Sequence, residues 1–335
     1  MDKKHLLFRI FTTSVTLSII IYLKRPLAQD FHKTFVRHRS NSTILLWHWP
    51  YGKPYHLNGD LCLKHYGIHG CLLTDNRAFF PQADLVVFHH HELQSGQQML
   101  PLHLARPRCQ KWVWLSLENP DNSGIQGRPG RHHFNFVMTY RQDADITIPY
   151  GKLVPRKTKN SSTTDNFVPK NKTSLACWVV SNYQKQHKRT VVYEKLKNII
   201  HVDVHGAAAN KLLDRDRLLP AISRCYFYLS FENSISTDYI TEKFWYNGLM
   251  GGSVPVVLGP PRDQYENVAP GDSFIHVDDF RSVEELGEFL KKLADNKEEY
   301  SKYFAWKKQY SVKLYRDWRE RLCAICPKLN SLHSK

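Results

Sequence analysis

Residues 226–259 read YFYLSFENSISTDYITEKFWYNGLMGGSVPVVLG. An apolar run, YFYLSF, stops abruptly at Glu232-Asn233-Ser234; a turn follows, a helix is expected to open near Asp238, and Gly251-Gly252 leads into a second apolar run, SVPVVLG. Runs that stay apolar without alternating fit strands buried on both faces, as in a parallel sheet. Strand, helix and strand in succession form the repeating unit of α/β folds. In such units ligands gather at the carboxyl ends of strands, with phosphates against helix N-termini. Lys243 then supplies a point charge for a pyrophosphate, Glu242 an acceptor for ribose hydroxyls, and Tyr239 a flat face for a base. A capped amphipathic helix carrying a surface Glu–Lys pair would leave the same trace, so chemistry alone leaves both readings open.

The same pattern extends outward on both sides. TILLWHW (43–49), ADLVVFHH (83–90), KWVWLSLEN (111–119), FNFVMTY (134–140) and DITIPYG (145–151) precede the central segment. ACWVVSN (176–182), a helix near 188–200, VDVHG (202–206) and, downstream, FIHVDD (274–279) complete a second set. A last helix is marked by Ser282 and Glu285 at capping-box spacing, with Leu286, Phe289, Leu290 and Leu293 on one face. Residues 151–173 are rich in Lys, Ser and Thr with two prolines, and read as a linker or long loop. The expected fold class is therefore α/β, two doubly wound units with a cleft between them: 43–155, a linker at 156–174, and 175–310, followed by a tail at 311–335.

Hydrophobic residues make up 42% of the 335 and aromatics 13%, enough for real cores. The formal net charge of +16 suits an acidic partner: nucleic acid, anionic lipid, an acidic glycan or a nucleotide diphosphate. No zinc-finger or RNP-like spacing occurs and the basic residues are dispersed, so a nucleic-acid partner is not expected. Residues 5–23, HLLFRIFTTSVTLSIIIYL, approach the length of a spanning helix, and no small-residue cleavage site follows. Lys3, Lys4 and Arg9 lie at its start, which predicts a signal anchor with a cytosolic tail (1–4), a stem (24–42) and a luminal remainder. Sequons at Asn41, Asn160 and Asn171 agree with a lumen, as do seven cysteines better explained by disulfides than by zinc. Cys177 and Cys225 each open a strand and are expected to bridge; spacing does not determine how the others pair. Asp143-Ala144-Asp145 and Asp214-Arg215-Asp216 have the spacing of a metal-binding acidic pair, but their contexts read as structural, and no metal is expected.

The run FENS…DYITEK…GG-x-VPVVLGPPR, with FIHVDDF after it, resembles the signature of the eukaryotic α-1,3/4-fucosyltransferases. The resemblance continues through KWVWLSLENP, ADITIPYG, CWVVSNYQ and DWRERLCAIC, covering roughly residues 43–327. FHHHEL, KFWYNGL, VVLGPPR and DWRERLCAIC look most like the sialyl-Lewis-x-forming branch. It implies an inverting transfer on a two-Rossmann-domain (GT-B) scaffold, with acceptor on the N-terminal domain and GDP-fucose on the C-terminal one. Glu118 matches the general base; Arg189 and Lys243 match the pyrophosphate pair; Asn233, Tyr239 and Glu242 match donor-lining positions, with Tyr150 a further match. His90 and His91 fall in the acceptor segment, where His91 departs from the Trp or Arg found in the family. The family also implies Cys62–Cys323 and Cys71–Cys326 pairs that tie the tail to the N-terminal domain; local pairing within 62/71 and 323/326 is the alternative, and Cys109 is expected to be free. It further implies a Golgi setting, sialylated N-acetyllactosamine as acceptor, and no required cofactor, Mn²⁺ being at most a stimulant. A catalytically silent glycan-binding protein on the same fold, or an enzyme preferring neutral acceptors, is the alternative reading.

Overall fold

The structure, a computed structural model, describes residues 41–57, 59–119, 131–156 and 167–333. The expected anchor at 5–23, the tail before it, nearly all of the stem and the Asn160 sequon lie outside these residues. No helix among the described residues is long and apolar enough to cross a membrane.

The first sheet takes β1 (Ser42–Leu46), β2 (Cys71–Thr74), β3 (Leu85–His89), β4 (Lys111–Leu115), β5 (Phe136–Thr139) and β6 (Ile146–Thr147), all parallel, in the order β2-β1-β3-β4-β5-β6. Successive side chains on a strand face opposite ways. Ile44, Leu46, Val87, Val113 and Leu115 thus fill one core, while Leu45, Val86, Phe88 and Trp112 fill another. This double burial is why the runs show no alternation. β7 (Gly151–Pro155) leaves this sheet, and the second sheet follows: β8 (Ser174–Val179), β9 (Val202–His205), β10 (Cys225–Phe231), β11 (Val254–Leu258) and β12 (Ile275–His276). It is also parallel, in the order β12-β11-β10-β8-β9. β13 (Tyr310–Leu314) then returns to pair antiparallel with β7.

Each sheet has a point where the chain reverses its direction of winding. From β1 the chain moves to β2 on one side and β3 on the other; from β8 it moves to β9 and then β10. Crevices open at the carboxyl ends of strands at such points. The two crevices therefore lie beyond β1/β3 and beyond β8/β10.

Several expectations are corrected. Asp238 has φ +59°, which a helix does not accept, so the helix expected near it opens instead at Lys243 and runs to Leu249 with π-type geometry. Gly251 and Gly252 end it: a Cβ on Gly251 would stand 2.0 Å from the Asn247 carbonyl oxygen, and Gly252 has φ +76°. The helix Val283–Asp295 is capped by Ser282, whose hydroxyl accepts from the Glu285 amide; Glu285 reaches back to the Arg281 amide rather than closing the full box. Cys177 and Cys225 form no bridge. The register sets Cys225 beside Ser174 and Cys177 beside Tyr228, so the cysteines sit three positions apart on neighbouring strands, buried as free thiols.

The remaining cysteines join Cys62 to Cys323 and Cys71 to Cys326, and Cys109 is free and exposed. Leu322, Ile325, Leu329 and Leu332 of the tail enter the core beneath the first sheet, and Tyr66 donates to Asp317 at 2.8 Å. Chain residues far apart in sequence thus complete one core.

Candidate active site

The crevice beyond β8 and β10 holds a cavity of about 320 Å³ whose lining is polar: Asn182, Lys188, Arg189, Glu232, Asn233 and Ser234 contribute. Arg189 sits in the first turn of the helix Lys188–Leu196 and is only 4% exposed. Its Nη1 donates to Asn233 Oδ1 and its Nη2 to the Asn182 carbonyl, while the buried Nε has no hydrogen-bond partner among the described residues. Burial lowers the proton affinity of the guanidinium, opposed by nearby Glu232. The side chain is therefore fixed before any ligand arrives.

Glu232 is the residue the sequence did not single out. It directly follows β10 at 1% exposure, and its carboxylate accepts from the Thr241 amide at 2.8 Å and from Thr241 Oγ1 at 2.8 Å. Lys243 Nζ lies 3.4 Å from the Glu232 carboxylate and 3.1 Å from that of Glu242, and it donates to Thr241 Oγ1 at 3.1 Å. Burial pushes the Glu232 carboxyl up, against the pull of Lys243. Burial also works against the Lys243 ammonium, yet Glu232 and Glu242 hold it above its ordinary value. Glu242 reaches into solvent; burial would raise its carboxyl, but Lys243 brings it below the usual range. The result is a lysine held in its charged form between two carboxylates and the Thr241 hydroxyl. An acid immediately after a buried strand was the only available sign of Glu232, and its meaning depends on Lys243 eleven positions on.

Tyr239 is placed differently from the expectation of a free aromatic face. It is 2% exposed, with Tyr140 at 5.0 Å and Tyr150 at 6.4 Å between ring centroids, so its ring packs into the first core rather than lying open to a base. Tyr150 donates its hydroxyl to the Leu117 carbonyl at 2.5 Å. Burial raises both phenols well above their ordinary value, and each also feels Glu118 on one side and Glu232 and Glu242 on the other. These two rings therefore stand between the acidic groups of the two halves.

Glu118 follows β4 at the first sheet's carboxyl edge and is partly exposed. Its amide donates to Ser116 Oγ at 3.2 Å, and its Oε1 accepts from the Tyr51 hydroxyl at 3.1 Å. Beside it the first crevice carries a buried polar cluster. His89 Nδ1 lies 2.6 Å from Glu92 Oε2, and His48 Nε2 meets the His89 backbone at 3.0 Å. Burial would raise the Glu92 carboxyl, but the contact with His89 outweighs it and leaves it below the usual range. Of the two expected acceptor histidines, His90 is 2% exposed and packs towards Trp114, which takes it away from the surface. His91 is partly exposed, 5.1 Å from the Tyr51 ring. Only His91 stands beside Glu118's partner.

The acidic pairs have other work. Asp143 pairs with Arg141, and Asp145 accepts from the Val137 amide at 3.0 Å; Asp214 stands before the helix Arg215–Ser223. The sulfurs of Cys62, Cys71 and Cys326 cluster because the two disulfides are adjacent. The Asn41 side is partly exposed, and Asn171 is exposed with φ +67°.

Two family models match nearly the whole described chain: "Fucosyltransferase, N-terminal" over residues 39–151 and "Glycosyltransferase family 10 (fucosyltransferase) C-term" over residues 169–335. The chain is similar to α-(1,3)-fucosyltransferase 7 of Bos taurus, 50% identical over 87% of this chain and 82% of that protein. The Homo sapiens protein of that name is 47% identical over 85% of this chain and 80% of its own. 4-Galactosyl-N-acetylglucosaminide 3-α-L-fucosyltransferase 9 of Mus musculus is 42% identical over 89% and 80%. A crystal structure of an α1,3-fucosyltransferase with GDP-fucose shares the fold, with a TM-score of 0.57 at 17% identity over 88% of this chain and 91% of that one.

Proposed function

The chain is a glycosyltransferase belonging to family 10, the fucosyltransferases, and on that premise we propose that it transfers fucose from GDP-fucose to the 3-hydroxyl of N-acetylglucosamine in type 2 N-acetyllactosamine, inverting the anomeric carbon. The observation that carries this reading is the division of labour between the crevices: a half-open carboxylate, Glu118, at one strand edge, and a fixed Arg189–Lys243 pair at the other. The solved neighbour holding GDP-fucose supports the donor, and the relatives' names support the 1,3 linkage.

The chemistry follows from the placement. Glu118 takes the proton from the acceptor hydroxyl as its oxygen attacks the fucose anomeric carbon. The bond to GDP breaks on the opposite face, and Arg189 and Lys243 neutralise charge growing on the pyrophosphate. One in-line displacement requires one base and a stabilised leaving group, with no covalent intermediate. The scheme takes its positive charge from side chains and calls on no metal. Asn233 and Glu242 line the donor crevice, and Tyr150 and Tyr239 shape the wall between the halves. Two parallel sheets, each with a switch-point crevice, support a GT-B arrangement with acceptor on the first and GDP-fucose on the second.

We extend the reading to α2,3-sialylated acceptors and sialyl-Lewis-x-type products, supported by the four segments that resemble that branch. Residues 5–23 would anchor the enzyme in the Golgi membrane with its catalytic part in the lumen, where Asn41, Asn160 and Asn171 are open to glycosylation. The test is Glu118→Gln. It keeps GDP binding within about twofold and loses transfer by at least roughly a hundredfold; normal turnover by that variant would sink the base assignment. A panel of neutral and α2,3-sialylated N-acetyllactosamine tests the acceptor, and equal rates on both would remove the sialylated preference.

A further inference from the structure

Tyr51 lies in the short turn Pro50–Gly52 at the carboxyl end of β1, with φ +55° and ψ +28°. Few aromatic residues adopt the left-handed region, and those that do are held there by their surroundings. The holding group is Glu92: one carboxylate oxygen accepts the Tyr51 amide at 2.5 Å while the other meets His89 at 2.6 Å. The ring stands 5.1 Å from His89 and 5.1 Å from His91. It remains 45% exposed, although the turn could have hidden it. Its hydroxyl ends 3.1 Å from Glu118 Oε1. A buried, hydrogen-bonded His89–Glu92 contact thus fixes an unusual backbone conformation whose outcome is a phenol aimed at one oxygen of one carboxylate.

We propose that Tyr51 is a positioning residue for Glu118: its hydroxyl holds Oε1 and leaves Oε2 turned to the acceptor hydroxyl. This rests on Glu118 being the base. A carboxylate at a strand edge has two free torsions and two equivalent oxygens, so a single donor on one oxygen selects a rotamer and a face. The groups facing this pair are few. Glu92, His89 and His91 approach Tyr51 from β3 and the helix after it, and Arg321 approaches from the tail helix Trp318–Cys323. Tyr150 and Tyr239 face Glu118 from the other side. Among them only Tyr51 has a hydrogen bond to the Glu118 side chain.

The experiment is Tyr51→Phe in the full chain, assayed with GDP-fucose and N-acetyllactosamine. The ring and its contacts with His89 and His91 are kept, so the unfolding midpoint should not move. The expected result is a kcat roughly tenfold lower, with the KM for GDP-fucose and the KM for the acceptor both unchanged. Wild-type kcat, or a loss carried by either KM with kcat intact, would overturn the role of Tyr51. Glu118→Gln is run alongside. If it too turns over normally, the base reading itself has failed; if it is inactive while Tyr51→Phe behaves as wild type, only the inference about Tyr51 has failed.

Discussion

The crevice beyond β8 and β10 and the crevice beyond β1 and β3 solve opposite problems with the same topology. In the second sheet the charged groups are buried and locked to each other before substrate binds: Arg189 through Asn233 and Asn182, Lys243 through Glu232 and Thr241. In the first sheet the buried polar contact, His89–Glu92, lies a layer back, and Glu118 is partly exposed and held by one hydroxyl. A leaving group bearing concentrated charge calls for fixed cations in a dry site, where their field is strong. A sugar hydroxyl calls for a base that can be reached, with little charge to stabilise. On the proposed mechanism, pre-organisation is deepest on the side where leaving-group charge would develop.

The comparison breaks most sharply at Lys243. Lys243→Ala should lower kcat/KM about a thousandfold, measured with saturating acceptor, and should leave Glu232 buried with its nearest cation gone. Glu232→Gln comes next. Lys243 keeps Glu242 as partner but loses its buried anchor, so kcat should fall by roughly tens of fold with a lowered unfolding midpoint, read by steady-state kinetics beside calorimetry. If Glu232→Gln lowers the midpoint and leaves kcat alone, Glu232 serves the fold rather than the lysine. The smallest effect belongs to the open side: His91→Ala should raise the acceptor KM a few fold, with the donor KM and kcat unchanged, because His91 touches the Tyr51 ring and no buried charge.

What the sequence revealed follows the same division. Buried parallel strands were legible as uninterrupted apolar runs because their two faces enter two cores, as Leu45 and Leu46 do. β2 was not, since CLLT is four residues long and half exposed, nor were β7 and β13, whose KLV and YSVKL patterns read as loop. Lys243 was legible as a cation in a strand–turn–helix segment, whereas Arg189 and its pairing with Lys243 came from the resemblance. Glu232 was not, because its significance is a contact with Thr241 and Lys243 that only the turn at Asp238 creates. Tyr239 and His90 are buried, which the sequence did not reveal, because an aromatic beside a site looks the same in sequence whether it faces the crevice or the core. Cys177 and Cys225 depended on strand register, which spacing does not encode. Tyr51 sits in WPYG, which reads as an ordinary turn until the partner of its amide is known.

The tail bears on how the protein comes into being. Cys323 and Cys326 reach back across 261 and 255 residues to Cys62 and Cys71, and Leu322, Ile325 and Leu329 enter the first core. Chains are made from the N-terminus, and domains generally fold in that order. Here the half that is synthesised first cannot close its core until the segment carrying Cys323 and Cys326 has been added. The donor half, whose sheet ends at β12, has all of its strands well before that. The carboxylate proposed as the base therefore belongs to the half that closes its core last, and oxidation of two cysteine pairs becomes the step that completes that core.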